Sequence, residues 1–214
     1  MRHHRNPSTV ANRHTIQYLL HMQFPDRPAF ENLLRSALQA KVAKMMHVDG
    51  FHRAGVLVPI VWTGSAHEFL FTKRTETVEA HKGQISFPGG MMDAGDQDIV
   101  HTALREASEE LGIPEAAVHV LGTLDDFPTP SGFVITPVVG LIGALPALRL
   151  NRDEVAEAFQ VPLAFFIKPG SGRTELREFR GAQHEVWFYE HKTHVIWGAT
   201  AMIIRSLFKT MGLL

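Results

Sequence analysis

The sequence predicts an α/β (α+β) protein in which apolar strands alternate with two main helices. Three observations carry this. The run AGVLVPIVW from Ala54 to Trp62 and the run from Val134 to Ile142 are apolar and rich in β-branched residues, as buried strands are. Between them, Val100, Leu104, Ala107 and Leu111 recur at spacings of four, three and four, which makes one apolar stripe on a helix. Finally, 45% hydrophobic and 20% charged residues are the proportions of a soluble globular chain, and 214 residues suit one domain with an appendage.

Taken in order, residues 1–49 read as an amino-terminal extension followed by a helix over 27–46, and residues 50–214 as the main domain. Arg2, Arg5 and Arg13 precede any acid, but no apolar signal-peptide core is present. Gly64-Ser65 turns the chain after the first strand, and Glu68 to Thr72 returns as a second. Lys73 and Arg74 leave its end, Thr75 to Lys82 is a polar loop, and Gly83 to Phe87 is a short strand. Gly112 closes the central helix as its C′ residue, and Pro114 stops continuation. Val118 to Phe127 and Val134 to Ile142 are strands, with Pro137 marking an edge or a bulge. Glu154 to Val161, then Pro162-Leu163, resembles a strand followed by a short helix. Thr174 to Phe179 and Glu185 to Tyr189 form a hairpin. Ile196 to Thr200 opens a final helix through Lys209 with Ile203, Leu207 and Met211 on one face; Trp197 is expected to be a packing anchor.

The central helix carries the chemistry. At 100° per residue, Glu106 and Glu110 project about 40° apart, and Glu106 and Glu109 about 60° apart. Three carboxylates on one flank repel one another, and a hard divalent cation reverses the sign of that term. A solvated acidic face is the plainer reading of REASEELG alone.

The preceding loop changes the balance. Gly89-Gly90 with Arg105, Glu106, Glu109, Glu110 and Gly112 resembles the signature of the Nudix hydrolases: a glycine, five residues, Glu, seven residues, then Arg-Glu-apolar-x-Glu-Glu-x-Gly-apolar. The second half matches through Ile113. In the first half, counting back from Arg105 puts Gln97 at the Glu position and Met91 at the Gly position. The loop is one residue longer, with Asp96 the expected stand-in for the first Glu. The coenzyme A pyrophosphatase branch of that family has such a loop, and also a block of the form Leu-Leu-Thr-x-Arg followed by Gly-x-x-x-Phe-Pro-Gly-Gly. Here the block reads Leu70-Phe71-Thr72-Lys73-Arg74, then Gly83-Gln84-Ile85-Ser86-Phe87-Pro88-Gly89-Gly90. The resemblance covers residues 50 to 205 in segment order, and specifically only 70 to 113.

The resemblance implies a Nudix fold, a mixed sheet sandwiched between helices, and metal-dependent hydrolysis of coenzyme A and its thioesters to 3′,5′-ADP and 4′-phosphopantetheine or its acyl form. It implies Mg²⁺ or Mn²⁺ held by Glu106, Glu110 and Glu109 with the Gly89 carbonyl. Arg105 would orient a carboxylate, and Glu109 is the first candidate general base, ahead of Glu154. Arg74, Lys82, Lys73 and Gly90 would face substrate, with Arg74 the leading cation for the ribose 3′-phosphate. A Nudix hydrolase of ADP-ribose or NADH, and a non-catalytic nucleotide-sensing domain, remain alternatives.

Composition narrows the partners. No cysteine is present, so thiolate nucleophiles and thiolate metal sites are ruled out, and a cytoplasmic setting is expected. With 21 basic and 22 acidic residues the net charge is −1, which disfavours a nucleic-acid partner. No apolar run is long enough to span a bilayer. A monomer or homodimer acting on a small molecule is expected. The 13 histidines are scattered and form no trusted metal pair.

Overall fold

The computed structural model describes residues 27–76, 83–179 and 181–214; the extension before Arg27, and Lys82, lie outside them. The described residues open with helix α1 (Arg27–Gln39), which buries Phe30, Leu34 and Leu38 at helical spacing. This helix is shorter than the expected 27–46. Beyond Gln39 the backbone is claimed by other partners: Asp125 accepts from Lys41 Nζ at 2.6 Å and from the Lys44 N–H at 2.9 Å, and Asp126 accepts from the Met46 N–H at 2.7 Å.

Strands β1 (His52–Trp62), β2 (His67–Arg74), β3 (Ile85–Ser86), β4 (Gly89–Met91), β5 (His119–Thr123), β6 (Phe127–Pro128), β7 (Phe133–Ile142) and β8 (Val155–Pro162) form one sheet. Its path is β3-β2-β1-β7-β5, with β4 on β1, β6 on β7 and β8 on β2. The long β1–β7 pair is parallel, the others antiparallel, so the sheet is mixed. Pro137 sits inside this sheet, contrary to the expectation of an edge or bulge. It falls where the partner of β7 passes from β6, opposite residues 134 and 135, to β5, opposite 138 to 141, so its missing N–H costs no ladder bond on that side. The bulge lies in β5, between Val120 and Gly122.

β1 reads as a continuous apolar run because both of its faces are covered. Val58 and Ile60 pack with α1 and with the last helix, α4 (Gly198–Thr210), through Leu34, Ile204, Leu207 and Phe208. On the other face Leu57 packs on Ala103 and Ala107 of helix α2 (Ile99–Leu111), and Val61 on Leu111. Helix α3 (Leu163–Phe166) follows β8. A second sheet, β9 (Gly172–Phe179), β10 (Ala182–His191) and β11 (His194–Trp197), extends the expected hairpin by a third strand. Ile196 and Trp197 therefore belong to a strand, and the final helix starts at Gly198, whose φ of 63° makes the corner.

One buried group makes stability depend on pH. His67 is 2% exposed, lies between the rings of Phe30 and Trp62 at 4.0 and 4.8 Å, and among the described residues neither ring nitrogen has a hydrogen-bond partner. Burial pushes its pKa down from 6.5 to about 4; nearby Glu31 opposes this and Arg27 adds to it. Between those values the unfolded chain binds the proton and the folded chain does not. Stability is therefore full above pH 6.5 and falls by about 3 kcal/mol as the pH drops through 6.5 to 4. Urea unfolding of the parent and of His67→Phe should show this acid-side slope in the parent and its loss in the variant.

Candidate active site

Helix α2 is fixed at both ends by its own sequence. The Asp98 carboxylate accepts from the His101 N–H at 2.8 Å as N-cap, and Gly112, with φ 69°, ends the helix by donating to the Ser108 carbonyl. The helix lies very close to β1: a Cβ on Gly55 would sit 2.6 Å from the Ile99 carbonyl oxygen. This approach corrects the expected stripe. The fully buried positions are Thr102, Ala103, Ala107, Glu110 and Leu111, while Val100 and Leu104 are half-buried. Glycine on the strand and alanines on the helix select a small-residue face, and Glu110 turns inward with it.

The three carboxylates consequently differ. Glu110 has its side chain 4% exposed, Glu106 16% and Glu109 57%. Burial is the main cause of a rise in the Glu110 pKa from 4.5 to about 8; Arg74 and the Gly89 N–H act against it, while Glu106 and Glu154 add to it. Glu106 is also raised, first by burial, then by Glu109 and Glu154, against the pull of Arg105. Gly90 abuts Glu106, where any Cβ would collide with the carboxylate. Gly89 pairs with Val56 across β1 and β4.

Asp96 organises this cluster. Its side chain is 1% exposed and takes Arg105 in a two-pronged contact, Nε at 2.9 Å and Nη2 at 3.1 Å. It also accepts from Thr102 Oγ1 and from the Asp93 N–H, both at 2.9 Å. These bonds hold its carboxyl well below the usual range, with the Arg105 contact the largest cause. Arg105 Nη1 reaches Glu106 at 2.9 Å and Glu109 at 3.0 Å, and Nη2 reaches the Met91 carbonyl at 3.1 Å. Gln97, the position given by direct counting, is exposed.

The remaining cations separate. Arg74 reaches Glu110 at 3.8 Å and Glu154 at 3.9 Å. Glu154, ranked low from sequence, sits at the same rim and is oriented by Asn151 Nδ2 at 3.2 Å. Its signal in the sequence was only its place at the start of β8, which tertiary pairing of β8 with β2 brings beside Arg74. Lys73 instead lines a groove with Ile85 and Trp197. Lys82 lies outside the described residues.

The site suits a divalent cation of the kind that needs few protein ligands. Among the described residues no group of three His, Asp or Glu side chains forms a ready cage. Mg²⁺-type sites, however, use one or two carboxylates, completed by water and substrate phosphate. Among the described residues Glu110 Oε2 is buried without a hydrogen-bond partner, and burial together with neighbouring carboxylates, Glu106 and Glu154 for Glu110, Glu109 and Glu154 for Glu106, raises the pKa of both carboxyls. Hard oxygen donors in that state are what such a cation relieves.

Comparisons with known proteins agree with this geometry. Residues 51–189 match the NUDIX domain family model. The chain is 42% identical over 159 residues to a Photorhabdus laumondii protein named Uncharacterized Nudix hydrolase NudL, covering 74% of this chain and 84% of that one. A protein of the same name from Cronobacter sakazakii is 41% identical over 160 residues, covering 75% and 83%. Among solved structures, a MutT/nudix family protein from Enterococcus faecalis aligns over 97% of this chain and 74% of that chain with TM-score 0.52 and 15% identity, which speaks to the fold.

Proposed function

The chain belongs to the Nudix hydrolase family, and on that premise we propose that it hydrolyses the diphosphate of coenzyme A and its thioesters, using Mg²⁺ or Mn²⁺. As a Nudix hydrolase it acts on pyrophosphate links of nucleotide-derived small molecules. The observation that carries the chemistry is the buried Glu110 Oε2, without a hydrogen-bond partner among the described residues, beside Glu106 and Arg74. The narrowing to coenzyme A is supported by the Leu70–Arg74 and Gly83–Gly90 block.

Glu106 and Glu110 would hold the cation, with Glu109 and the Gly89 carbonyl as further donors. When bound, the cation supplies charge neutralisation for the diphosphate and acidifies water. The chain's own residues do the rest. Arg105, anchored by Asp96, fixes the Glu106 carboxylate; Arg74, beside Glu110, meets the diphosphate; Gly90 keeps space open next to Glu106. Hydrolysis breaks one P–O bond of the P–O–P link, water oxygen joins that phosphorus, and a carboxylate takes the proton. Glu109, held by Arg105 Nη1 at 3.0 Å, is the first candidate for this base, and Glu154, held by Asn151 Nδ2 at 3.2 Å and 3.9 Å from Arg74, is the second. Among the described residues no helix is long and apolar enough to cross a membrane.

A product assay tests the reading. Coenzyme A with Mg²⁺ or Mn²⁺ should give 3′,5′-ADP and 4′-phosphopantetheine, and excess chelator should abolish turnover until metal is restored. ADP-ribose and NADH, assayed in parallel, should be poorer substrates. Equal turnover of ADP-ribose would remove the coenzyme A assignment, and full activity in chelator would remove the metal.

A further inference from the structure

The second sheet ends in an open edge. Its order is β11-β10-β9, and among the described residues β9 pairs with β10 only. Free edges are commonly blunted by proline, lysine or a bulge. β9 has no proline and no lysine, and its pairing with β10 runs unbroken from Gly172 to Phe179. Phe179 pairs with Ala182 across a two-residue turn, so that pair is hydrogen-bonded and the pattern alternates from there. The N–H and C=O groups of Thr174, Leu176 and Glu178 therefore face the open side. The side chains along this edge are ordered as well. Arg173, Glu175 and Arg177 share one face, where Glu175 is bonded to both arginines and both guanidinium groups lie over the Phe188 ring, at 4.8 and 5.6 Å. Trp197 stacks on the same ring with planes within 8° and stays 40% exposed, contrary to the packing role expected of it. Leu176 points to the opposite face and is 72% exposed.

We propose that β9 is a homodimer interface, pairing antiparallel with β9 of a second copy about a two-fold axis at Leu176. Backbone direction and charge order select both this partner and this register. With the axis at Leu176, that residue meets the partner's Leu176, Glu175 meets the partner's Arg177, Arg177 meets the partner's Glu175, and Thr174 meets the partner's Glu178. The Leu176 and Thr174–Glu178 pairs are then the hydrogen-bonded ones, as the outward backbone groups require. The Glu175–Arg177 pairs fall at the non-hydrogen-bonded positions, where side chains on facing strands come closest. Moving the axis by one residue sets like charges together: Glu175 on the partner's Glu175 and Arg173 on the partner's Arg177, or Arg177 on the partner's Arg177. Moving it to Thr174 leaves Arg177 and Glu178 beyond the end of the facing strand. The contact is isologous and closes at two copies. Two three-stranded sheets become one of six strands, and the open β9 edges disappear.

Sedimentation velocity on the full chain over a range of concentrations tests this. The parent should show a reversible monomer–dimer equilibrium. Arg177→Glu and Glu175→Arg each place like charges at two symmetry-related pairs, and each should weaken the dimer about tenfold or more. Glu175→Arg combined with Arg177→Glu restores opposite charges at both pairs and should recover most of the association. Cross-linking reads the register without any charge reversal. The chain has no cysteine, so a single introduced thiol can pair only with its own symmetry mate. In Leu176→Cys the two Cα atoms would lie about 5.5 Å apart, within disulfide reach, and mild oxidation should give a covalent dimer. In Glu178→Cys the two thiols stand four positions apart along the facing strands, about 13 Å, and should cross-link far more slowly. A parent that stays monomeric overturns the proposal. So does a dimer that survives both single reversals, a combined variant that stays as weak as the single ones, or equal cross-linking at positions 176 and 178.

Discussion

Glu110→Gln should lower kcat by roughly two to three orders of magnitude, the scale set by removing one preorganised charge from an active site, while leaving the fold intact. Glu106→Gln should do the same. Both variants keep size and hydrogen-bonding shape, so lost turnover reports the charge. The metal-free stability should move the other way. In the folded chain Glu110 holds its proton up to about pH 8, whereas its ordinary value is 4.5. Between those limits the folded state binds more protons than the unfolded one. The parent therefore loses stability as pH rises from 4.5 to 8, at up to about 1.4 kcal/mol per pH unit. Glutamine has no such titration, so in chelator Glu110→Gln should be the more stable protein at pH 8, with the difference vanishing near pH 4.5. Urea unfolding at several pH values, beside steady-state kinetics, checks both halves. Near-parental kcat in either variant would remove that residue from the metal site.

Asp96→Asn should be the most damaging change outside the helix. Asp96 is buried, and its two-pronged bond to Arg105 is what lets that guanidinium reach Glu106 and Glu109. Breaking a buried pair by neutralising one partner costs about 3–5 kcal/mol, less where water reaches the other partner. Arg105 is 20% exposed, so a loss of about 2–3 kcal/mol is expected. kcat should fall as well, since Glu106 loses its anchor. Gln97→Ala should change stability by no more than about 0.5 kcal/mol, as exposed positions usually do, and leave kcat unchanged. The reverse order of effects would mean that Gln97, not Asp96, fills the place of the signature's first glutamate. Thermal unfolding and kcat on the two variants decide it.

Much of this was legible in the chain. The local signals are strong where the determinant lies within one helical turn or one strand: the helix ending at Gly112, the apolar runs of β1 and β7, and the hairpin of β9 and β10. The shared helical flank of Glu106, Glu109 and Glu110 follows from periodicity, and the role of Arg105 from the resemblance. The extra loop residue was also visible, because the spacing to Arg105 is a matter of counting. Other readings failed where the competing partner is distant in sequence. The first helix ends at Gln39 because Asp125 and Asp126, some 80 positions on, take the backbone of Lys44 and Met46. Ile196 and Trp197 pair with β10 instead of starting a helix, since strand pairing is nonlocal and leaves only a weak local trace.

The sequence by itself determined the family, the element order and the set of acidic and basic groups, because motif spacing and hydrophobic period are properties of the chain read along its length. Only the tertiary structure decided what each group does. Gly55 lets helix α2 settle on its alanine face, which buries Glu110 and leaves Glu109 in solvent. At the end of β2, it directs Arg74 to the carboxylates and Lys73 to the groove. Burial and distance set the charge state and the partner of an ionisable group, and both depend on which surfaces meet, a quantity that no window of sequence contains.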